Sequence, residues 1–202
     1  MFRAAVSVFL FVLFLHGPSQ AQNLVANPDF DIDTSGWEAP GDLDLSHSSG
    51  DGFAAPGAAE VTGVLISPPF SNSTGLLQCI PLGKDAPTTS LAVSAVVKMV
   101  NFDGFMPQIV ITTHSDVECF SAPLDQQNVS GFLVQGIWGE LQGMLSPFPV
   151  ETQSIRLTVM VSTDSSDSGL TVRVDDAFFG VPVLFEDGFE SGDTSNWSLA
   201  VP

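Results

Sequence analysis

The chain has 202 residues, of which 23 are Asp or Glu and 5 are Lys or Arg, giving a formal net charge of −18. That length suits one domain with a sizeable core, and that charge repels phosphate backbones and anionic membranes, so nucleic acid is excluded as an expected partner. The aromatic complement is 16 Phe and 3 Trp with no Tyr.

Residues 1–21 read as an export signal. Arg3 supplies the positive start and Ala4 to Leu15 an apolar run too short to span a bilayer comfortably. The breaker pair Gly17-Pro18 precedes a small-x-small cleavage site at Ser19-Gln20-Ala21. A retained anchor is the alternative. Loss of Arg3 makes the mature chain still more acidic. A solvated acidic surface accounts for this charge, and bound divalent cations are a second account.

The mature chain opens on Asn27-Pro-Asp-Phe-Asp-Ile-Asp-Thr-Ser-Gly-Trp37, and a near copy, Glu186-Asp-Gly-Phe-Glu-Ser-Gly-Asp-Thr-Ser-Asn-Trp197, stands close to its end. Between them, short apolar runs alternate with Gly, Pro, Asn, Asp and Ser clusters, and no helical period of useful length occurs. Leu43, Leu45 and His47 alternate with polar residues. Val61 to Ile66 stops at Pro68-Pro69, Leu76 to Leu82 carries Cys79, and Leu91 to Val100 is β-branched with Ser94 and Lys98 interspersed.

Further on, Gln108 to Thr113, Val117 to Phe120 with the second Cys, and Phe132 to Leu145 with Trp138 read as strands. Ser154 to Ser162 puts Ile155, Leu157, Val159 and Val161 on one face; Thr163 to Gly169 is a polar turn, and Leu170 to Phe179 closes the domain. Some eight to ten short strands predict an all-β antiparallel sandwich over residues 22–182. The tail, 183–202, is too short for a core and is expected either to dock on the sandwich or to hang free.

Two cysteines in an exported chain favour a bridge, Cys79–Cys119. After the signal the histidines are His47 and His114, and Gly-x-Ser-x-Gly, His-Glu-x-x-His and a phosphate-cradling loop are all absent, so no catalysis is expected. Glycosylation sequons at Asn72, Asn128 and Asn196 matter only where Asn is glycosylated.

Several segments, in this order, resemble the carbohydrate-binding jelly rolls of secreted bacterial proteins, the galactose-binding-like fold. They are Asn23 to Phe30 with Ser35-Gly36-Trp37, Gln78 to Leu82, Ile109 to Cys119, Trp138 to Leu145 with Pro147 and Ser154 to Leu157, and Val172-Arg-Val-Asp-Asp-Ala-Phe-Phe179. The resemblance covers residues 23–181. The tail resembles a stretch at the C-terminus of many secreted bacterial proteins, which implies an export or surface-retention signal; a relic of a second module's first strand is the other reading.

The resemblance implies a structural Ca²⁺ tying the opening segment to the closing strand. Its ligands would be Asp31, with Asp33 as neighbour, and Asp175, with Asp176 as alternate. Ca²⁺ takes six to eight hard oxygens, and carboxylates gathered without a counter-charge repel. Asp31 stands where the family has Glu, and the competing account is that these Asp residues cap turns. Along a straight closing strand, Asp175 would share a face with Ala177 and Phe179, and Asp176 with Val174 and Phe178.

The resemblance also implies polysaccharide or cell-surface glycan as partner. Trp37 and Trp138 fall at its core-packing positions, and Trp197 lies in the tail. An aromatic platform would then come from Phe53, Phe102, Phe105, Phe120 or Phe132. The loop Asn101-Phe-Asp-Gly-Phe-Met-Pro107 is the candidate ligand site, through Phe102, Asp103 and Phe105, unless its rings tuck into a hairpin turn. The expected function is secreted, non-catalytic glycan binding. The alternative is a structural or adhesive surface protein held by its tail.

Overall fold

A computed structural model describes residues 23–67, 71–82, 90–101, 106–163 and 170–181. Residues 1–21, expected as an export signal, residues 183–202, and the loop with Phe102, Asp103 and Phe105 lie outside the described residues. Residues Gln22–Pro182 form one compact unit.

Among the described residues there are ten strands: β1 Asp44–His47, β2 Ala59–Thr62, β3 Leu65–Ser67, β4 Ser71–Pro81, β5 Leu91–Met99, β6 Pro107–His114, β7 Asp125–Ser130, β8 Gly139–Leu145, β9 Ser154–Thr163 and β10 Thr171–Gly180. They form two five-stranded antiparallel sheets, in the orders β1-β2-β10-β5-β8 and β3-β4-β9-β6-β7. This is the antiparallel sandwich that the alternating pattern predicts, and the jelly roll that the resemblance implies.

The core follows from period-2 alternation. On β5, Leu91, Val93, Ala95, Val97 and Met99 are buried, and on β9 so are Ile155, Leu157, Val159 and Val161. These inner faces meet Val61, Val172, Val174 and Phe179 from β2 and β10, and Leu76, Ile109 and Ile111 from β4 and β6.

The opening segment closes the sandwich at one edge. Asn23 bridges Gly180, Leu24 N–H donates to Phe179 O at 2.8 Å, and Ala177 N–H donates to Pro28 O at 3.0 Å. Phe30 and Trp37 enter the core with ring centroids 5.3 Å apart. Buried Gln78 receives the Ala26 N–H at 2.8 Å and donates to the Ala26 and Gly36 carbonyls at 3.0 and 3.1 Å, so each polar group of its amide is paired.

Three details depart from the sequence expectation. Val117 to Phe120 belongs to the loop between β6 and β7, because Asp116 turns the chain by accepting the N–H groups of Glu118, Phe120 and Ser121. The polar strand β7 was not expected, and it forms by pairing along β6 from Gln108↔Ser130 to Thr113↔Asp125. Phe132 to Trp138 is a loop leading into β8, with Gly136 at φ +74° in its turn.

The Cys79–Cys119 bridge is present, with Cα atoms 6.0 Å apart. It pins the β6–β7 loop to the outer side of β4, with Cys119 at φ +59°. A cross-link spanning 40 residues stabilises by roughly 4 kcal/mol in the chain-entropy model. Replacing both cysteines by Ser is therefore expected to lower the unfolding free energy by about 2–5 kcal/mol in urea titration. An unchanged midpoint would show that the bridge contributes nothing to the fold.

Candidate functional site

The loop between β1 and β2 organises the site. Ser48 and Ala58 close its neck with reciprocal backbone hydrogen bonds of 2.9 and 3.1 Å. Within it the backbone folds back so tightly that a Cβ on Gly52 would lie 1.8 Å from Ala55 O. Gly57, at φ +143°, lies where a Cβ would be 2.5 Å from Phe30 O. Glycine is required at both places. The loop thereby carries Asp51 and Phe53 to the outer face of the first sheet.

That face presents Glu60 of β2, Arg173 of β10 and Lys98 of β5, aligned by the registers Arg173↔Glu60 and Arg173↔Lys98. Asp51 Oδ2 accepts from Lys98 Nζ at 2.7 Å and from Arg173 Nη1, while Glu60 Oε2 accepts from Arg173 Nε at 2.6 Å. Trp138 Nε1–H donates to Asp51 Oδ1 at 3.3 Å, and the Lys98 ammonium stands 5.7 Å from the Trp138 ring centroid, a cation–π distance. The half-exposed Phe53 meets Trp138 edge-on, with centroids 6.4 Å apart.

The Lys98 hydrogen bond chiefly holds the Asp51 carboxyl below the usual carboxylate range; burial opposes it, and the Lys98 and Arg173 charges and the Trp138 N–H assist. Further along the same strands, Ala92, Ser94, Gln142, Met144 and Phe178 line an open groove of about 450 Å³. An aromatic pair, paired charges and an amphipathic groove thus share one sheet face. This arrangement offers stacking surface and directed donors and acceptors.

An acidic cleft of about 150 Å³ adjoins it, lined by Asp29, Asp31, Ala54, Ala55, Asp175 and Asp176. The register of β10 against β5 shifts between Asp175 and Phe178, and Asp176 has φ +45°. This bulge corrects the straight-strand expectation. Asp175 now shares the outer face with Phe178, while Val174, Ala177 and Phe179 are all buried inward.

Asp175 is only 2% exposed, and its carboxylate accepts Phe53 N–H at 2.7 Å and Asp176 N–H at 2.9 Å. Burial chiefly raises its pKa, those two hydrogen bonds oppose the shift, and the Asp176 and Asp29 charges add to it. Asp176 is also raised, by burial first and then by the Asp29 and Asp31 charges.

Of the four residues expected at a cation, Asp31, Asp175 and Asp176 therefore come together, and Asp29 joins them. Asp29 stands two residues before Asp31 in the same acidic run, which is the signal that could have found it. Asp33 lies outside the cleft lining. Its Oδ1 accepts Ser35 N–H at 2.9 Å and Asn27 Nδ2–H at 3.2 Å. The Ser35 backbone bond chiefly lowers its pKa, with help from the Ser35 side chain and His47 against a smaller burial effect.

The cleft's oxygens suit a hard divalent cation, and no basic side chain lines it. Among the described residues no three His, Cys, Asp or Glu side chains are grouped to hold a metal, so the fit is one of donor chemistry and charge rather than of a closed coordination shell.

The remaining candidates fall as follows. Trp37 is buried at 5% exposure, as expected. Trp138 is not in the core; it is half-buried, with its N–H turned to Asp51. Phe120 and Phe132 are exposed, on other loops. His47 Nε2 lies 2.7 Å from Phe30 O, and buried His114 holds Ser121 O through Nδ1 at 2.8 Å, so both brace loops. Sequence reasoning missed Asp51, Glu60, Lys98 and Arg173. A signal was present for two of them, since a chain with 5 basic residues places Lys98 and Arg173 at outward positions of neighbouring strands.

No protein-family model matches the chain, and no curated protein matches it in sequence. Solved structures do match its fold. The N-terminal modules of the Clostridium thermocellum endo-1,4-β-D-xylanase 10B, a family 22 carbohydrate-binding module with a GH10 module complexed with xylohexaose, align with TM-score 0.61 and 15% identity over 80% of this chain and 29% of that one. A family 22 xylan-binding domain from Paenibacillus barcinonensis aligns with TM-score 0.57 and 16% identity over 79% of this chain and 94% of that one.

The enzymatically active domain of tailspike protein 4 of bacteriophage CBA120 aligns with TM-score 0.56 and 12% identity, over 79% of this chain and 21% of that one. The chain thus spans under a third of the xylanase and tailspike polypeptides and nearly all of the xylan-binding domain. At these identities the likeness shows the fold, the jelly-roll β-sandwich of carbohydrate-binding modules.

Raised folded-state carboxyl pKa values mean that ionised Asp176 opposes folding at neutral pH, and that its protonation or neutralisation relieves the cost. Asp176→Asn, which tolerates positive φ, is expected to raise the melting temperature in chelator at pH 7. Its advantage over the parent should shrink as pH falls through the raised carboxyl range. A lower melting temperature for the variant at pH 7 would mean that the carboxylate is not repelled there.

Proposed function

We propose that this protein is a secreted, non-catalytic module that binds neutral polysaccharide on the outer face of its first sheet. The observation that carries the proposal is the Trp138–Phe53 pair set beside Lys98, Arg173, Asp51 and Glu60 on a face continuous with the Phe178–Met144 groove. Sugar rings stack their C–H faces on aromatic surface and take hydrogen bonds from fixed polar groups. Both cations are already matched by carboxylates, and the whole chain carries −18, so an uncharged glycan fits better than a uronate or sulfate polymer. The similarity in fold to xylan-binding domains supports the reading.

Ca²⁺ is proposed as a structural ion of the acidic cleft, held by Asp29, Asp31 and Asp176 with Asp175 behind them. Bound there, it would neutralise the repulsion among these groups and tie the opening segment to β10. Residues 1–21 support export, and among the described residues no helix is long and apolar enough to cross a membrane.

A second reading, adhesion to a protein surface, draws on Phe132, Val134 and Ile137, which stand exposed on the loop before β8. Affinity electrophoresis against xylan, galactan and a uronate polymer separates the two. The glycan reading expects retardation by a neutral polymer and a loss of roughly 30-fold in affinity for Trp138→Ala, as for a central aromatic contact. Retardation by none of the polymers would remove it and favour adhesion. Chelator should lower the melting temperature and Ca²⁺ restore it; an indifferent melting curve would remove the ion.

A further inference from the structure

We propose that Asp175 is a positioning residue for the binding face, acting through the backbone amide of Phe53. Its meaning for ligand binding rests on the glycan reading above, whereas its effect on the site's geometry does not.

Phe53 is 53% exposed, and its ring has an edge contact with Trp138 as its aromatic neighbour. Such a ring is free to leave unless its backbone is fixed. The loop's neck is closed at Ser48 and Ala58, and Asp51 is tied by side-chain contacts to Lys98 and Arg173. Beyond Asp51, the backbone of the exposed tip is fastened to the sheet by the Phe53 N–H to Asp175 Oδ2 bond of 2.7 Å.

The group that makes this bond is costly to keep. Asp175 is 2% exposed, and Asp29, Asp31 and Asp176 line the same cleft with no basic side chain among its lining residues. A carboxylate in that position is tolerated only through the hydrogen bonds it accepts. One oxygen caps the bulge by accepting the Asp176 N–H. The other reaches across to Phe53, which a cap alone does not require.

The bulge is what allows this division. The shift of register between Asp175 and Phe178 keeps Asp175 on the outer face, under the loop. Val96, its register partner on β5, is also outward by alternation yet only 5% exposed, so the sheet is covered at this point. Fixing Phe53 in advance removes an ordering cost from ligand binding.

The test uses the full mature chain labelled with 5-fluorotryptophan. Its ¹⁹F spectrum should hold one resonance for each of 3 Trp, and Trp138→Phe assigns the relevant one. Asp175→Ala is expected to move the Trp138 resonance, leave that of Trp37 in place, and add nothing further in a Phe53→Ala background. Asp175→Asn, which keeps one amide oxygen for the Phe53 N–H, should restore most of the parent position. If Asp175→Ala does not fold, amide hydrogen exchange of the parent carries the test, with the Phe53 N–H expected to be protected and its free exchange overturning the assignment.

With xylohexaose as probe, Asp175→Ala should weaken binding roughly tenfold, an effect that Phe53→Ala abolishes. An unmoved Trp138 resonance, or one that moves equally without Phe53, overturns the assignment. Failure of the parent to bind xylohexaose or any neutral glycan counts against the glycan reading, and the resonance of Trp138 then decides the positioning role alone.

Discussion

Strand β10 carries one residue more than its partner between Asp175 and Phe178, and the arrangement of the site depends on that bulge. An uninterrupted strand would keep strict alternation, and the two adjacent carboxylates would then have to divide between core and surface. The extra residue, taken up with Asp176 at φ +45°, lets Val174, Ala177 and Phe179 all reach the core. Asp175 and Asp176 meanwhile face the opening segment and the β1–β2 loop. Beyond Val174, where pairing with β2 ends, the same strand is held by β5 on one side and by backbone bonds of the opening segment at Ala177 and Phe179 on the other.

Charge distribution gives the first sheet its character. In a chain with 23 acidic and 5 basic residues, Lys98 and Arg173 face each other across neighbouring strands and share Asp51. As partly exposed ion pairs near the surface these add little to stability. Their effect is to orient Asp51 toward the Trp138 N–H and to set a polar frame around two aromatic rings. A few residues away the opposite condition holds, and carboxylates gather with only backbone amides for company. The β1–β2 loop belongs to both places, since its Phe53 amide bonds to the cleft's Asp175 while its Phe53 ring meets Trp138.

Much of the fold was legible because period-2 alternation of apolar residues directly reports burial on one face. That held for β5 and β9, whose inward residues are the ones their spacing marks. It failed where composition and environment part company. Strand β7, Asp-Gln-Gln-Asn-Val-Ser, has little apolar content because it is an edge strand that gains its place from the β6 ladder. Val117 to Phe120 has the composition of a strand, yet Asp116 and the disulfide fold it into a loop. Of the site, the gathering of Asp31, Asp175 and Asp176 was expected from the resemblance to the carbohydrate-binding jelly rolls and not from any local pattern. Asp33, expected as a neighbour of Asp31, lies outside the cleft lining because its turn with Asn27 and Ser35 is decided locally.

By itself the sequence determined the class of fold, the pairing of its two cysteines, the strand alternation that makes the core, and the net negative charge. These follow from composition and from neighbours along the chain. Only the tertiary structure decided that Trp138 turns outward, that Asp51 bridges two cations, and that Asp175 reaches Phe53. Each depends on strand register and loop closure between distant residues, the last pair lying 122 positions apart, and no local pattern encodes which side chains such closure brings within hydrogen-bond reach.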